Sequence, residues 1–138
     1  MTRFVLDASV ALGWIADEPP SPYAVKIKQD LLSEGRAVVP TLWHLEIANW
    51  FAIAARRRVI DESQESTLLF ALDGIIGRAI ETEVSGVSIR QALATANQFQ
   101  LSAYDAAYLD LALRERLPLA TLDQRLRLAA KKAGVELL

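Results

Sequence analysis

The chain has 138 residues, of which 52% are hydrophobic and 23% charged, and its formal net charge is -2. It contains no cysteine and a single histidine, His44, which excludes a disulfide framework, a thiolate metal site, a cysteine nucleophile and a multi-histidine zinc site. This length and apolar content predict one compact domain over residues 1–138, and any chemistry must depend on carboxylates.

The first half of the chain alternates between short apolar runs and helical patterns. Ser21 and Pro22 have the residue types of an N-cap and a first helical position, and Gly35 is expected to close the helix that they open. Strands are predicted at 4–6 and 37–39, and helices at 10–15, 22–34 and 42–57.

The second half continues this alternation. Asp61 and Gln64 have the spacing of a capping box, and Ser102 with Asp105 opens a later helix that ends before Pro118. Strands are predicted at 80–84, 119–122 and 135–138, and helices at 61–72, 89–96, 102–117 and 123–132. Such alternation predicts an α/β fold with a mainly parallel sheet and helices on its faces.

Neither a leader nor a membrane span is expected. Asp7 interrupts the first apolar run too early for a signal peptide. No later run reaches the roughly 18 apolar residues that indicate a membrane span. The sequence therefore predicts a cytoplasmic protein with no membrane association.

Four acidic residues fall where ligands bind in an open α/β sheet, beyond the carboxyl ends of its strands. Two follow strands, one opens a helix and one lies a turn into the long helix: Asp7, Asp123, Asp105 and Glu46. Clustered carboxylates repel one another unless a positive charge lies among them, and hard cations such as Mg²⁺ or Mn²⁺ prefer oxygen ligands. The pattern thus indicates a divalent metal site.

Each acid also has a purely structural interpretation. Asp7 and Asp123 could be N-caps, and Asp105 the acid of a capping box. Glu46 shares a helical stripe with apolar residues, so it needs a partner, which could be an arginine. Ser9 and Thr121 lie two residues from an acid and could either orient it or bond local backbone.

Two other polar residues are left out of the predicted site. Asp110 is turned well away from Asp105 around its helix. His44 lies on the opposite side of its helix from Glu46, which favours a packing or interface role over that of a base.

Four segments resemble a known family in their order and context. They are FVLDASV at 4–10, PTLWHLEIAN at 40–49, LSAYDAAYL at 101–109 and LATLDQRL at 119–126. They resemble the successive signatures of the PIN-domain family, and of its VapC-type toxins in particular. The resemblance implies a three-layer α/β/α fold and a pocket of Asp7, Glu46, Asp105 and Asp123 that binds Mg²⁺, with Mn²⁺ as a possible substitute. It also implies RNA cleavage and inhibition by a cognate VapB-type antitoxin.

The functional hypothesis is metal-assisted hydrolysis of RNA phosphodiester bonds, for which no side-chain nucleophile is needed. An RNA strand requires cations beside the acidic pocket, although arginines at helix ends commonly serve only the helix dipole and the surface. The candidates are Arg56, Arg57, Arg58, Arg125 and Arg127.

Two alternatives stay open. A phosphoacceptor domain would also place acids and Mg²⁺ at strand ends, but it needs a lysine there, and Lys26, Lys28, Lys131 and Lys132 all lie elsewhere. The other alternative is a PIN-fold module that binds RNA or protein without catalysis.

The long helix carries apolar residues on two sides, and one core can bury only one of them. The second apolar side predicts a protein interface, either within a homodimer or with the antitoxin that the resemblance implies. The residues assigned to it are Trp43, Trp50, Phe51 and Leu69.

Overall fold

A computed structural model describes residues 2–138, so that of the predicted domain 1–138 only Met1 lies outside the described residues. The strands are β1 (Arg3–Leu6), β2 (Arg36–Pro40), β3 (Ile80–Glu83) and β4 (Leu119–Ala120). The helices are α1 (Ala8–Ala16), α2 (Pro22–Leu32), α3 (Thr41–Arg56), α4 (Glu62–Ala79), α5 (Ile89–Phe99), α6 (Ala103–Glu115) and α7 (Gln124–Ala133).

The four strands form one sheet in the order β3-β2-β1-β4, and every neighbouring pair is parallel. Central β1 is buried on both faces, which explains why Phe4, Val5 and Leu6 form a continuous apolar run. With the helices around the sheet, the fold is the predicted α/β/α arrangement. The parallel order directs the carboxyl ends of all four strands to one edge.

Two helices bring acidic residues to that edge and are fixed by the core. Helix α3 buries Trp43, Ile47 and Phe51, and α6 packs on β1 and β2 with Tyr108 and Leu109 fully buried. Large buried aromatic side chains hold a helix firmly because they remove much apolar surface from water. The acids on α3 and α6 are therefore carried by rigid elements.

Several local predictions are confirmed. Ser21 accepts a hydrogen bond from the Ala24 amide at 3.2 Å, with Pro22 in the first turn of α2. Asp61 and Gln64 make both bonds of a capping box at the start of α4.

The predicted end of the helix at 61–72 is wrong, because α4 continues to Ala79. Gly74 and Gly77 weaken helix propensity, but Leu72, Ile75 and Ala79 are buried at helical spacing. Tertiary packing therefore overrides the local signal.

Two other predicted boundaries also differ. Helix α2 ends at Leu32 with Ser33 as its C-cap, so Gly35 does not close it. A Cβ atom at Gly35 would lie 2.7 Å from the Asp30 carbonyl oxygen, which explains a glycine there. The predicted strand at 135–138 reduces to one isolated bridge between Leu119 and Leu137, because β4 itself is only two residues long.

Across residues 2–138, the helices are either too short or too polar to serve as a membrane span.

Candidate active site

Asp7 is a nearly buried carboxylate at the carboxyl end of the central strand. It occupies the N-cap position of α1, but its side chain makes no capping hydrogen bond. Instead Oδ2 accepts hydrogen bonds from the hydroxyls of Ser9 at 2.6 Å and Thr121 at 2.7 Å. With only 4% of the residue exposed, Asp7 is a polar group held for a purpose other than capping.

Ser9 and Thr121 join the ends of β1 and β4. The Ser9 hydroxyl accepts a bond from the Leu122 amide at 3.0 Å, and the Thr121 hydroxyl accepts one from the Asp123 amide at 3.0 Å. Each hydroxyl therefore accepts a hydrogen bond from a backbone amide and donates one to Asp7. This geometry fixes the orientation of the Asp7 carboxylate.

Glu46 lies on α3, half-buried, with its carboxylate bonded to a tyrosine and not to an arginine. The Tyr108 hydroxyl donates to Oε1 at 2.8 Å. Burial, and after it the charge of Glu46, raise the pKa of Tyr108, so this hydroxyl stays protonated. Among the ion pairs of residues 2–138, which are Arg3 with Glu81 and Arg114 with Glu83, none involves Glu46.

Tyr108 was assigned no role from the sequence, although it belongs to the segment at 101–109. A helical spacing of three residues places it beside Asp105 on α6. That spacing was the only available signal, because Glu46 lies 62 residues away in the chain.

Asp105 and Asp123 begin helices α6 and α7. Asp123 does cap α7, since its Oδ1 accepts a hydrogen bond from the Leu126 amide at 2.9 Å. At α6 the cap is Ser102, whose hydroxyl accepts from the Asp105 amide at 3.1 Å without the reciprocal bond of a capping box. Helix N-termini favour negative charge, so both positions stabilise a carboxylate.

The pKa values of three of the four acids are raised, first by burial and then by repulsion from neighbouring carboxylates. Burial raises the pKa of Asp7, and the charge of Asp123 raises it further. Burial is also the main cause of the raised pKa of Glu46, with added repulsion from Asp7 and Asp105. The raised pKa of Asp105 has the same main cause, with repulsion from Asp123 and Asp7.

This donor set fits a hard divalent cation in its chemistry. All four groups offer carboxylate oxygens, which are the ligands that such a cation prefers. The hydroxyls of Ser9 and Thr121 both donate to Oδ2 of Asp7, so neither of them occupies Oδ1. Within residues 2–138, however, no three acidic or histidine side chains come close enough to form a metal site. The acids repel one another at this edge of the sheet but do not form a closed coordination shell.

The five candidate arginines divide by position. The group at 56–58 begins ten residues beyond Glu46, about 15 Å farther along the helix. Arg127 donates to the Thr121 carbonyl at 2.9 Å and lies 5.6 Å from the centre of the Tyr23 ring, so it supports the β4–α7 loop. The charge of exposed Arg125 slightly opposes the rise that burial and the neighbouring acids cause in the pKa of Asp105.

The two polar residues left out of the site lie elsewhere. Asp110 is buried against α5 and accepts a hydrogen bond from Thr95 at 2.6 Å. His44 is hydrogen-bonded to Thr82 at 2.8 Å and packs edge-on against Trp43. Both contacts are structural.

Three of the four residues assigned to an interface line a small cavity between α3 and α4. Trp43 and Phe51 are buried in the core and only line this cavity, while Leu69 on α4 is partly exposed beside it. Trp50 lies around the helix, half-buried, and borders a separate depression with Ile53. The four residues therefore do not form one continuous exposed surface.

Comparisons with known proteins identify the family and the fold. The family model of the PIN domain matches residues 4–132. The structure of PAE2754 from Pyrobaculum aerophilum is similar, with 20% identity, a TM-score of 0.62 and coverage of 93% of this chain and 86% of that one. FitAcB from Neisseria gonorrhoeae is also similar, with 18% identity, a TM-score of 0.67 and coverage of 100% of this chain and 96% of that one. A sequence search of curated proteins gives no match.

Proposed function

Since the chain belongs to the PIN-domain family, we propose that it is a metal-dependent endoribonuclease that uses Mg²⁺ or Mn²⁺. The observation that supports this most strongly is Asp7, a nearly buried carboxylate held by two hydroxyls and facing the charges of other acids. Neither hydroxyl carries a charge, so a cation bound there would offset the repulsion between Asp7 and Asp123. Residues 1–138 would then form a single nuclease domain.

The chain's own residues would act by holding and orienting. Asp7, Glu46, Asp105 and Asp123 would bind the cation, and its charge would lower the pKa of water and stabilise the transition state of hydrolysis. Ser9 and Thr121 fix Asp7, as Tyr108 fixes Glu46. Arg125 is the cation best placed to attract an RNA phosphate to this acidic edge.

The experiment is cleavage of a mixed-sequence single-stranded RNA by the purified chain, with Mg²⁺, Mn²⁺ or EDTA. We expect cleavage only with metal, and its loss in Asp7→Asn. Asp110→Asn is the matched control, because it removes an aspartate from α6 that lies outside the acidic pocket. RNA binding without cleavage in either metal would instead favour the non-catalytic module, an alternative that the open spacing of the acids supports.

We also propose that the protein is the toxin of a type II toxin–antitoxin pair in the cytoplasm, with a VapB-type antitoxin as its inhibitor. The support is the order and context of the four segments, two of which carry Asp105 and Asp123. Induced expression in a bacterial host should arrest growth. The arrest should disappear in Asp105→Asn and on coexpression of a cognate VapB-type antitoxin.

A further inference from the structure

A second pocket, of about 380 Å³, adjoins the acids between α3 and the start of α6. One turn-spaced face of α3 contributes Leu42, Leu45 and Asn49, and α6 contributes Tyr104. Glu46 and Asp105 complete its wall, so the pocket opens directly onto two of the proposed metal ligands.

Two large side chains on this pocket are exposed to solvent. Tyr104 is 67% exposed and Leu45 is 63% exposed. Each lies next to an acid in the sequence, Tyr104 before Asp105 and Leu45 before Glu46. Both are therefore accessible to a ligand that enters the pocket. A tyrosine ring offers a planar surface, and the Asn49 amide can both donate and accept hydrogen bonds.

The charge of the pocket selects among possible ligands. Apart from Glu46 and Asp105, which the proposed function assigns to the cation, its walls carry no charged side chain, so the rest of the lining offers nothing to bind a phosphate. A nucleobase is planar, uncharged and rich in hydrogen-bonding groups, which matches an aromatic ring with a nearby amide.

We propose that this pocket holds an unpaired base of the RNA, with Tyr104 as its stacking surface, next to the phosphate cleaved at the acids. This inference rests on the proposed ribonuclease function. Because a base inside a duplex cannot reach such a ring, the pocket selects single-stranded RNA over duplex RNA. Because any base can stack on an aromatic ring, Tyr104 favours single-stranded RNA but distinguishes little between base sequences.

The test measures binding by fluorescence anisotropy in an Asp7→Asn background, which removes cleavage. The probes are a labelled single-stranded oligouridine of about 12 nucleotides, a ribose-phosphate strand of the same length without bases, and an RNA hairpin. We expect Tyr104→Ala to weaken oligouridine binding by about 5- to 150-fold, and Tyr104→Phe by no more than about twofold. Binding of the strand without bases should not respond to either change.

Phe70→Ala is the matched control, because Phe70 is an aromatic residue on α4 that is 82% exposed and lies outside the pocket. It should bind oligouridine like the background protein. An equal loss with the strand lacking bases, or no loss with oligouridine, would overturn the proposal.

The outcomes separate this inference from the ribonuclease proposal. If Tyr104→Ala cleaves RNA in Mn²⁺ with the same KM as the original chain, the pocket assignment is wrong and the nuclease stands. If the chain binds RNA through Tyr104 but never cleaves it, the nuclease is wrong and the pocket stands. Absence of any RNA binding overturns both.

Discussion

Replacing Tyr108 by phenylalanine removes one oxygen atom and should weaken both the fold and the proposed metal site. The ring of Tyr108 is fully buried and keeps its packing, so the change isolates the 2.8 Å hydrogen bond to Glu46. A hydrogen bond to a charged group contributes about 1.5–3 kcal/mol, and half-buried Glu46 can regain some water. We therefore expect a loss near the lower limit, about 1.5 kcal/mol, or about 4–6 °C in melting temperature.

The same substitution should reduce metal affinity. Tyr108 lowers the pKa of Glu46 and fixes one of its oxygens, so without it Glu46 is less ionised and less well oriented. Partners of metal ligands typically contribute about 10- to 100-fold in affinity. Thermal unfolding should be measured over a series of Mn²⁺ concentrations. The Mn²⁺ concentration needed for a given rise in melting temperature should increase by that factor.

The matched control is Tyr104→Phe, which removes a hydroxyl from an exposed tyrosine on the same helix. It should unfold like the original chain at every Mn²⁺ concentration. If Tyr108→Phe also unfolds like the original chain, then the hydrogen bond to Glu46 contributes neither to stability nor to Mn²⁺ binding, and Tyr108 does not position Glu46.

Four further results are expected. Millimolar Mn²⁺ or Mg²⁺ should raise the melting temperature, because a cation relieves repulsion among the acids, and an unchanged melting curve would argue against a shared pocket. Burial raises the pKa of Asp7 in the folded protein above its ordinary value in the unfolded chain. Without metal, the free energy of unfolding should therefore fall as pH rises from the unfolded-state pKa to the folded-state pKa, and stay low at higher pH. Denaturant titrations should show that Asp7→Asn is more stable than the original chain at neutral pH and that the difference vanishes in acid. Asp110→Asn should retain cleavage, because its Oδ1 still accepts the Thr95 hydroxyl, and loss equal to that of Asp7→Asn would contradict the assignment of roles. Light scattering of the isolated chain should give the mass of a homodimer, and a monomer at micromolar concentration would refute it.

Much of the fold could be predicted because its signals are local. Ser21, Asp61 and Ser102 begin helices through bonds to residues three positions ahead, so sequence spacing reveals them. The meeting of Asp7 and Asp123 was also predictable, because parallel strands bring their carboxyl ends to one edge.

The missed features depend on contacts between distant parts of the chain. Tyr108 finds its partner Glu46 across 62 residues, and Arg127 supports its loop partly through Tyr23 on α2. The length of α4 likewise follows from burial of Ile75 and Ala79 and not from helix propensity. Such contacts leave no spacing pattern in a single sequence.

The bonds of Thr121 have a consequence for synthesis of the chain on the ribosome. Thr121 donates to Asp7 across 114 residues, and β4 completes the sheet on one side of central β1. An emerging chain can form β1, β2 and β3 early, but it exposes the open edge of β1 until residues 119–123 follow. The four acids therefore come together only after residues 119–123 have been made, so under the proposed ribonuclease function the chain would be inactive while it is still being synthesised.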